Sequence, residues 1–252
     1  MARVDLERVL PPDRVAWFRS ALLNWSHQWL RVFPWRQTRD PYLLFVAETL
    51  LQKTDARKVV PVFTRVRDRY PTLDHLAAAS LDNLADILQP LGLQFRAERL
   101  LQAAQILARD RDIFMDEARL LQLPGVGPYT ARAVLANAFD RPLAVLDANV
   151  ARILERFWGV RGGRVKSRDP LLWAAAEYVA PTSETARWNL TLIDFGALTC
   201  KARQPQCQSC PLRSRCCWHK DVQRDRPPLQ MVSGILTPDR DVSRNRRAVE
   251  KC

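Results

Sequence analysis

Apolar residues recur at helical spacing along most of this chain. The segment from Val15 to Val32 is amphipathic, and its apolar positions include Trp17, Leu22 and Trp29. No segment of useful length alternates apolar and polar residues as a strand does, and no repeat at solenoid spacing is present. The pattern therefore predicts an all-α fold. Further helices are predicted at residues 41–54, 57–69, 80–88, 95–109, 116–123, 129–139, 149–158, 170–180 and 185–198.

Length and charge narrow the class of protein. The 252 residues, 47% of them apolar, suit one sizeable domain or two small ones. No uncharged apolar stretch reaches the 18 residues of a membrane span, and the N-terminus lacks a secretion signal, so we expect a cytoplasmic protein without a membrane partner. A formal net charge of +12 indicates a polyanionic partner, most commonly nucleic acid, although a basic surface also serves solubility.

Residues 123–135, LPGVGPYTARAVL, predict two helices joined by a very tight turn. Gly125 and Gly127 allow the backbone to reverse, and Pro128 suits the first position of the next helix. Such a turn points free backbone amides and the positive end of a helix outward, where they can bind a phosphate. A bare GVG would indicate only an ordinary connector, whereas the whole run is far more specific.

The cysteines predict a metal site. None precedes residue 200, and Cys200, Cys207, Cys210 and Cys216 follow the spacing C-x6-C-x2-C-x5-C. Four thiolates in one loop can hold zinc or an iron–sulfur cluster. Zinc ribbons usually pair two C-x2-C knuckles, and only one such pair is present here.

Together these motifs resemble the iron–sulfur DNA glycosylases of the endonuclease III and MutY superfamily. The resemblance spans roughly residues 15–218 and includes FPWRQTRDPY at 33–42 and FVAETLLQKT at 45–54. It implies a 4Fe–4S cluster on Cys200, Cys207, Cys210 and Cys216, with Cys217 and Cys252 as bystanders. It also implies helix–hairpin–helix contacts to DNA from Gly125, Val126, Gly127, Tyr129 and Thr130.

The resemblance implies two catalytic carboxylates. Asp147 lies 20 residues after Gly127, where the superfamily has its catalytic aspartate, and would stabilise the cationic sugar that forms as the base departs. An isolated aspartate in this context would usually be a helix N-cap, and both roles are compatible. Glu48 matches a glutamate that assists departure of the base in the family, whereas most helical glutamates simply extend to solvent.

The resemblance also implies residues that fill the gap left by an extruded base. Gln52 or Lys53, together with Leu93 in LGLQFRAERL, occupies the matching places. An ordinary core leucine is the alternative for Leu93.

Tyr129 bears on the substrate. Bifunctional relatives place a nucleophilic lysine here, MutY commonly a serine, and mismatch-specific thymine glycosylases a tyrosine, so the resemblance implies a hydrolytic thymine enzyme. A surface aromatic residue is the plainer alternative. The segment GLQFRA replaces the GYYARA of MutY, and the 36 residues after Cys216 are too few for the further C-terminal domain of a full MutY.

These observations predict two helical lobes flanking a DNA-binding cleft. One is a six-helix barrel at residues 40–145 with the hairpin, and the other joins 1–39 to the cluster segment 146–218; residues 219–252 are expected to form a mobile basic tail. The expected function is removal of thymine, and also uracil, mispaired with guanine in double-stranded DNA by a monomer in a prokaryotic cytoplasm. An adenine glycosylase of the MutY type is one alternative, and a non-catalytic iron–sulfur DNA-binding protein is another.

Overall fold

The computed structural model describes residues 6–92, 95–163, 165–222, 229–232 and 235–238. Almost all of their regular structure is helical, so the predicted all-α fold class is confirmed. The α-helices are α1 Leu6–Val9, α2 Pro12–Trp29, α3 Pro41–Leu51, α4 Ala56–Arg69, α5 Leu73–Ala77, α6 Leu81–Leu88, α7 Phe95–Arg109, α8 Glu117–Leu120, α9 Pro128–Phe139, α10 Ala148–Trp158, α11 Pro170–Val179, α12 Thr185–Leu198 and α13 Cys217–Val222.

Several helices begin at an aspartate that caps the exposed backbone amides of the first turn. Asp40 accepts from Tyr42 N at 2.9 Å to start α3, and Asp169 accepts from Leu172 N at 2.9 Å to start α11. A proline follows each cap, where its missing N–H costs nothing. Because these signals are local, the predicted helices agree with the observed ones to within about three residues at most ends.

Three short strands were not expected. β1 (Val160–Arg161) pairs in parallel with β2 (Leu229–Val232), and β2 pairs antiparallel with β3 (Ile235–Pro238). The mobile basic tail expected at residues 219–252 stays a prediction, and within that range the structure describes the end of α13 together with β2 and β3. Two short apolar runs separated by two residues were the signal that indicates such a pair of strands.

The chain divides into two compact units. Unit 1 comprises Met1–Arg31 and Ala144–Cys252, and unit 2 comprises Val32–Leu143. The predicted divisions lay at 39/40 and 145/146. Unit 1 is thus discontinuous in sequence, with α2 packing against α12, while unit 2 is a single stretch containing α3 to α9.

The core of unit 1 is rich in aromatic side chains. Phe18 on α2 packs against Phe157, Trp158 and Trp188, with ring centroids 4.6, 5.6 and 5.8 Å away. All four side chains are at most 3% exposed. Truncating one such ring typically costs 3–5 kcal/mol, so this cluster anchors α10 and α12 to α2.

The core of unit 2 is mainly aliphatic and lies between α3, α4, α7 and α9. Val46, Leu50, Val66, Leu100 and Val134 are completely buried there. The core fixes the end of α3 and the start of α9, which are the two places from which predicted DNA-contacting residues project. Among the described residues, no helix combines the length and apolarity needed to cross a lipid bilayer.

Candidate DNA-contacting and catalytic residues

The glycine-rich turn of unit 2 has the geometry expected of a hairpin between helices. The predicted helix 116–123 ends early, at Leu120. The turn follows it, and within the turn Val126 N donates to Leu123 O at 3.2 Å. Gly125 has φ +80°, a conformation that favours glycine, and a Cβ there would lie 3.2 Å from Arg99 Cδ. The turn therefore depends on glycine at this position.

Gly127 differs from Gly125. It is the N-cap of α9 with φ −113° and ψ 176°, which any residue can adopt, and a Cβ there would meet no atom within 4 Å. Pro128 follows at the first helical position, as predicted. The fold itself therefore does not require glycine at position 127. A physical reason for glycine here is that, without a side chain, the backbone amides of the turn can come close to a phosphate.

The turn after α3 contacts the hairpin. Gln52 Nε2 donates to Gly125 O at 3.0 Å, which brings together two of the predicted DNA-contacting segments. α3 was predicted to continue to Thr54 but ends at Leu51, because Gln52 leaves the helical conformation with ψ 114° and Lys53 adopts the left-handed one with φ +56°. A lysine held in this conformation is unusual and is often found at functional sites. Leu93, the third predicted insertion residue, lies outside the described residues.

Helices α3 and α9 pack against each other and carry Glu48, Tyr129 and Thr130. Glu48 is only 8% exposed within an apolar stretch of α3, so the structure excludes a side chain that simply extends to solvent. Thr130 is 4% exposed and contributes to the interior, whereas Tyr129 in the first turn of α9 is half-buried. A buried carboxyl group is the arrangement that suits a general acid.

Asp147 caps α10 in unit 1. Its Oδ1 accepts from Asn149 N at 2.8 Å and Val150 N at 2.7 Å, and its Oδ2 accepts from Asn149 Nδ2 at 2.8 Å. Burial raises the pKa of Asp147, although these three donors and the charge of Arg152 oppose the increase. The carboxyl group is therefore fixed in orientation and poorly solvated, as an electrostatic catalyst requires.

A chain of hydrogen bonds connects Asp147 to the first cysteine. Asn149 Oδ1 accepts from Arg152 Nη2 at 2.8 Å, and Arg152 in turn donates to Cys200 O at 2.8 Å and Gly196 O at 2.7 Å. At Gly196, α12 approaches so closely that a Cβ would lie 2.5 Å from Asn149 Cβ. Asn149, Arg152 and Gly196 were not predicted from the sequence, since the contacts of Arg152 with Gly196 and Cys200 join residues more than 40 positions apart.

The cysteine loop, residues 199–216, packs against the rest of unit 1. Cys200 lies two residues after the end of α12, with its N–H bonded to Phe195 O at 2.8 Å, and Leu212 inserts into the core at 2% exposure. Burial and the neighbouring thiols raise the pKa of Cys210 and of Cys216 to about 12 each. The thiols thus lie near one another in poorly solvated surroundings, where bound positive charge would favour their ionised form.

The chemistry of the donor set, four cysteine thiols in one loop, fits an iron–sulfur cluster. Cys200, Cys207, Cys210 and Cys216 are half-buried thiols. Within the part of the chain that the structure describes, no group of three or more Cys, His, Asp or Glu side chains is arranged to hold one metal ion. In a four-iron cluster each thiolate binds a different iron atom, so the four sulfur atoms need not converge on one point.

Residues 46–175 match the HhH-GPD superfamily of base excision DNA repair proteins. This match includes Glu48, the hairpin and Asp147 and ends before the cysteines. The chain belongs to this superfamily. The family predicted from the sequence motifs is therefore confirmed.

Named relatives in the HhH-GPD superfamily include enzymes for two different bases. The chain is 37% identical to the thymine-DNA glycosylase of Aeropyrum pernix over 205 residues, which cover 77% of this chain and 92% of that protein. It is 34% identical to the adenine DNA glycosylase of Buchnera aphidicola subsp. Baizongia pistaciae over 202 residues, which cover 79% of this chain but only 57% of that protein.

Solved structures support the same relationship. A thermostable thymine-DNA glycosylase superposes with a TM-score of 0.78 at 30% identity, covering 84% of this chain and 99% of that one. A non-covalent endonuclease III–DNA complex gives a TM-score of 0.70 at 26% identity, covering 83% and 98%. The comparisons confirm two expectations, a DNA-binding protein and a DNA glycosylase that acts in base excision repair. They do not distinguish between thymine and adenine as the base removed.

Proposed function

We propose that the protein hydrolyses the N-glycosidic bond of thymine, and also of uracil, mispaired with guanine in double-stranded DNA. Tyr129 carries this proposal. It lies in GVGPYT, two residues after Gly127. According to the resemblance, bifunctional glycosylases have a lysine at this position, and mismatch-specific thymine glycosylases have a tyrosine. Without an amine at this position, water is the nucleophile and the product is an intact abasic strand.

In the proposed reaction the two carboxyl groups have different tasks. The bond between the sugar C1′ and the base breaks, and its electron pair leaves with the base. The ionised carboxylate of Asp147 stabilises the positive charge that develops on the sugar, and water then attacks C1′. The proton that this water releases balances the one that the departing base takes up. Glu48, held in apolar surroundings, assists departure of the base or positions the water.

The Glu48 assignment can be tested against a matched glutamate. Glu98 lies on the exposed first turn of α7. We expect Glu48→Gln to slow single-turnover excision about 100-fold, the lower end of the usual range for a proton-transfer residue, and Glu98→Gln to leave the rate unchanged. Equal rates for the two variants would remove Glu48 from the mechanism.

The proposed DNA contacts combine the hairpin amides with basic side chains. Gly125, Val126 and Gly127 would bind phosphate through the backbone, while Gln52, Lys53 and Thr130 belong to the neighbouring segments. Because Lys and Arg contacts release counterions, the affinity for duplex DNA should fall steeply with salt. We expect the protein to act as a monomer, which sedimentation with and without duplex would check.

A 4Fe–4S cluster on Cys200, Cys207, Cys210 and Cys216 is part of the proposal. When bound, it supplies a covalent tie that fixes the loop after α12. The exposed side chains of Arg203, Arg213 and Arg215 on that loop would then face phosphates. The purified protein should contain about four iron and four sulfide per chain. Zinc without iron would contradict this assignment.

An adenine glycosylase is the second candidate, because one of the relatives at 34% identity has that name. A labelled duplex series with T·G, U·G, A·G and A·8-oxoguanine pairs separates the two. Thymine mispairs weakly with guanine and is cheaper to extrude than a paired thymine, so thymine should be excised from T·G. Because position 129 has no amine, the strand should then break only after alkali. Excision of adenine with thymine left intact would replace the first proposal by the second, and strand breakage without alkali would contradict hydrolysis.

A further inference from the structure

The interior of unit 2 contains a buried cation that the proposed mechanism does not use. Arg96 on α7 is 2% exposed, and within the described residues it forms no ion pair. Burying a guanidinium among apolar side chains is costly, and an apolar residue of similar size would usually be at least as stable there. Natural proteins bury a charged group in an otherwise apolar core, at a cost in folding free energy, mainly where function requires that group.

The contacts of Arg96 converge on the turn after α3. Its Nη1 donates to Leu50 O at 2.8 Å, and its Nη2 donates to Thr54 Oγ1 at 2.9 Å. Thr54 then donates from Oγ1 to Gln52 O at 3.2 Å. The guanidinium thus forms hydrogen bonds to the chain on both sides of Lys53. These bonds hold Lys53 in a left-handed backbone conformation that is unfavourable for a residue with a side chain.

The same side chain reaches a second segment. Nη2 of Arg96 also approaches Leu91 O at 3.5 Å, just before Gly92 with its φ of +66°. In the sequence, Leu93 follows directly. One buried arginine therefore lies against the two stretches from which the proposed insertion residues come.

We propose that Arg96 is a positioning residue for base extrusion: it holds the Gln52–Thr54 turn in the form that enters the DNA stack. This inference rests on the proposed function, since it assumes that the turn contacts DNA. Arg96 itself touches no reacting atom. Its planar fork serves several acceptors at fixed angles, which a lysine cannot do.

Substitutions at two positions test the proposal. Arg96→Met removes all three contacts, and Arg96→Lys keeps only the charge. Thr54→Val removes both hydrogen bonds of the Thr54 hydroxyl, the one from Arg96 and the one to Gln52 O, with little change of shape. Arg109→Met is the matched control, because it removes the same charge from the exposed end of the same helix. Circular dichroism and thermal unfolding establish which variants are folded.

Two measurements separate positioning from a general effect on the fold. The first is the fluorescence of 2-aminopurine next to the target base, which rises when the stack opens. The second is the single-turnover rate on a target base facing guanine and on the same base facing an abasic site, which needs less help to leave the stack.

We expect Arg96→Met and Arg96→Lys to abolish most of the fluorescence rise and to slow excision opposite guanine about 100-fold, as misplaced catalytic geometry can. The loss should shrink to about tenfold or less opposite the abasic site. Thr54→Val should show the same pattern more weakly, and Arg109→Met neither effect. Affinity for a fully paired duplex should stay within about threefold of that of Arg109→Met.

Equal losses on both substrates, or a normal fluorescence rise in Arg96→Met, would overturn the proposal. If Arg96→Met does not fold, Thr54→Val decides, and wild-type behaviour of that variant on both substrates overturns it. If the wild type excises no base, the proposed function fails, while the fluorescence comparison with Arg109→Met still decides the role of Arg96.

Discussion

Unit 1 holds Asp147 through a chain of side-chain hydrogen bonds, whereas unit 2 holds its hairpin mainly through backbone geometry. Asn149 and Arg152 connect Asp147 to carbonyl groups of α12 and of the cysteine loop. The hairpin depends instead on the positive φ of Gly125 and on one contact from Gln52. A network can fail at any of its members, while a backbone turn is sensitive at few positions but severely so.

The largest effect should come from the charge at the end of the unit 1 network. Asp147→Asn retains an oxygen that can cap α10 but loses the negative charge, so single-turnover excision should fall about 1,000-fold or more. Asp169→Asn is the control, since Asp169 also caps a helix of unit 1. Similar rates for the two variants would show that Asp147 is only a cap.

A smaller effect should come from the middle of the network. Arg152→Met removes the donors to Asn149, Gly196 and Cys200, so we expect excision to slow about 10- to 100-fold, the range seen when residues behind a functional group are removed. Duplex binding and rates measured side by side will check this. A rate reduced only in proportion to lost binding would mean that Arg152 serves the surface charge and not Asp147.

The hairpin predicts a contrast between its two glycines. Gly127→Ala should weaken binding to every duplex about tenfold without lowering the melting temperature, because the new methyl group meets no protein atom. Gly125→Ala should also lower the melting temperature, since its φ is +80° and Arg99 is close. Unchanged affinity for Gly127→Ala would remove the hairpin from the DNA interface.

The smallest effect concerns pH. Burial raises the pKa of Asp147 above 3.8, so excision should decline on the acid side at a higher pH than an exposed aspartate would cause. The Asp147 carboxyl group also stays protonated to a higher pH in the folded state than in the unfolded state. The wild type should therefore lose stability relative to Asp147→Asn as the pH rises from the unfolded pKa through the folded one. Urea unfolding of both proteins across that range measures this, and a constant difference would contradict it.

Local signals in the sequence predicted the helices and the positions of the chemical groups. The bounds of α7 and α12 agree with the predicted ones, because periodicity and caps act within a few residues. The glycine turn and the cysteine spacing were visible for the same reason. Asp147 was recognised from its place after the hairpin, and the cap that it forms is a local interaction too.

Contacts between distant segments could not be predicted. Arg152 reaches Cys200 only because α10 and α12 pack together, and Arg96 reaches Thr54 only because α7 crosses the end of α3. The left-handed Lys53 is likewise a consequence of its surroundings and not of its own preference. The parallel pairing of β1 with β2 joins segments nearly 70 residues apart, which no local pattern encodes.

The discontinuity of unit 1 has a consequence for biosynthesis. Helix α2 leaves the ribosome early, but the rings that surround Phe18 belong to α10 and α12, which are translated only after all of unit 2. Unit 2 is continuous and can fold as soon as it emerges. Until α10 and α12 have been synthesised, the apolar face of α2 remains exposed to solvent. During this stage, chaperone binding or aggregation of the nascent chain competes with the packing of α2 against α10 and α12.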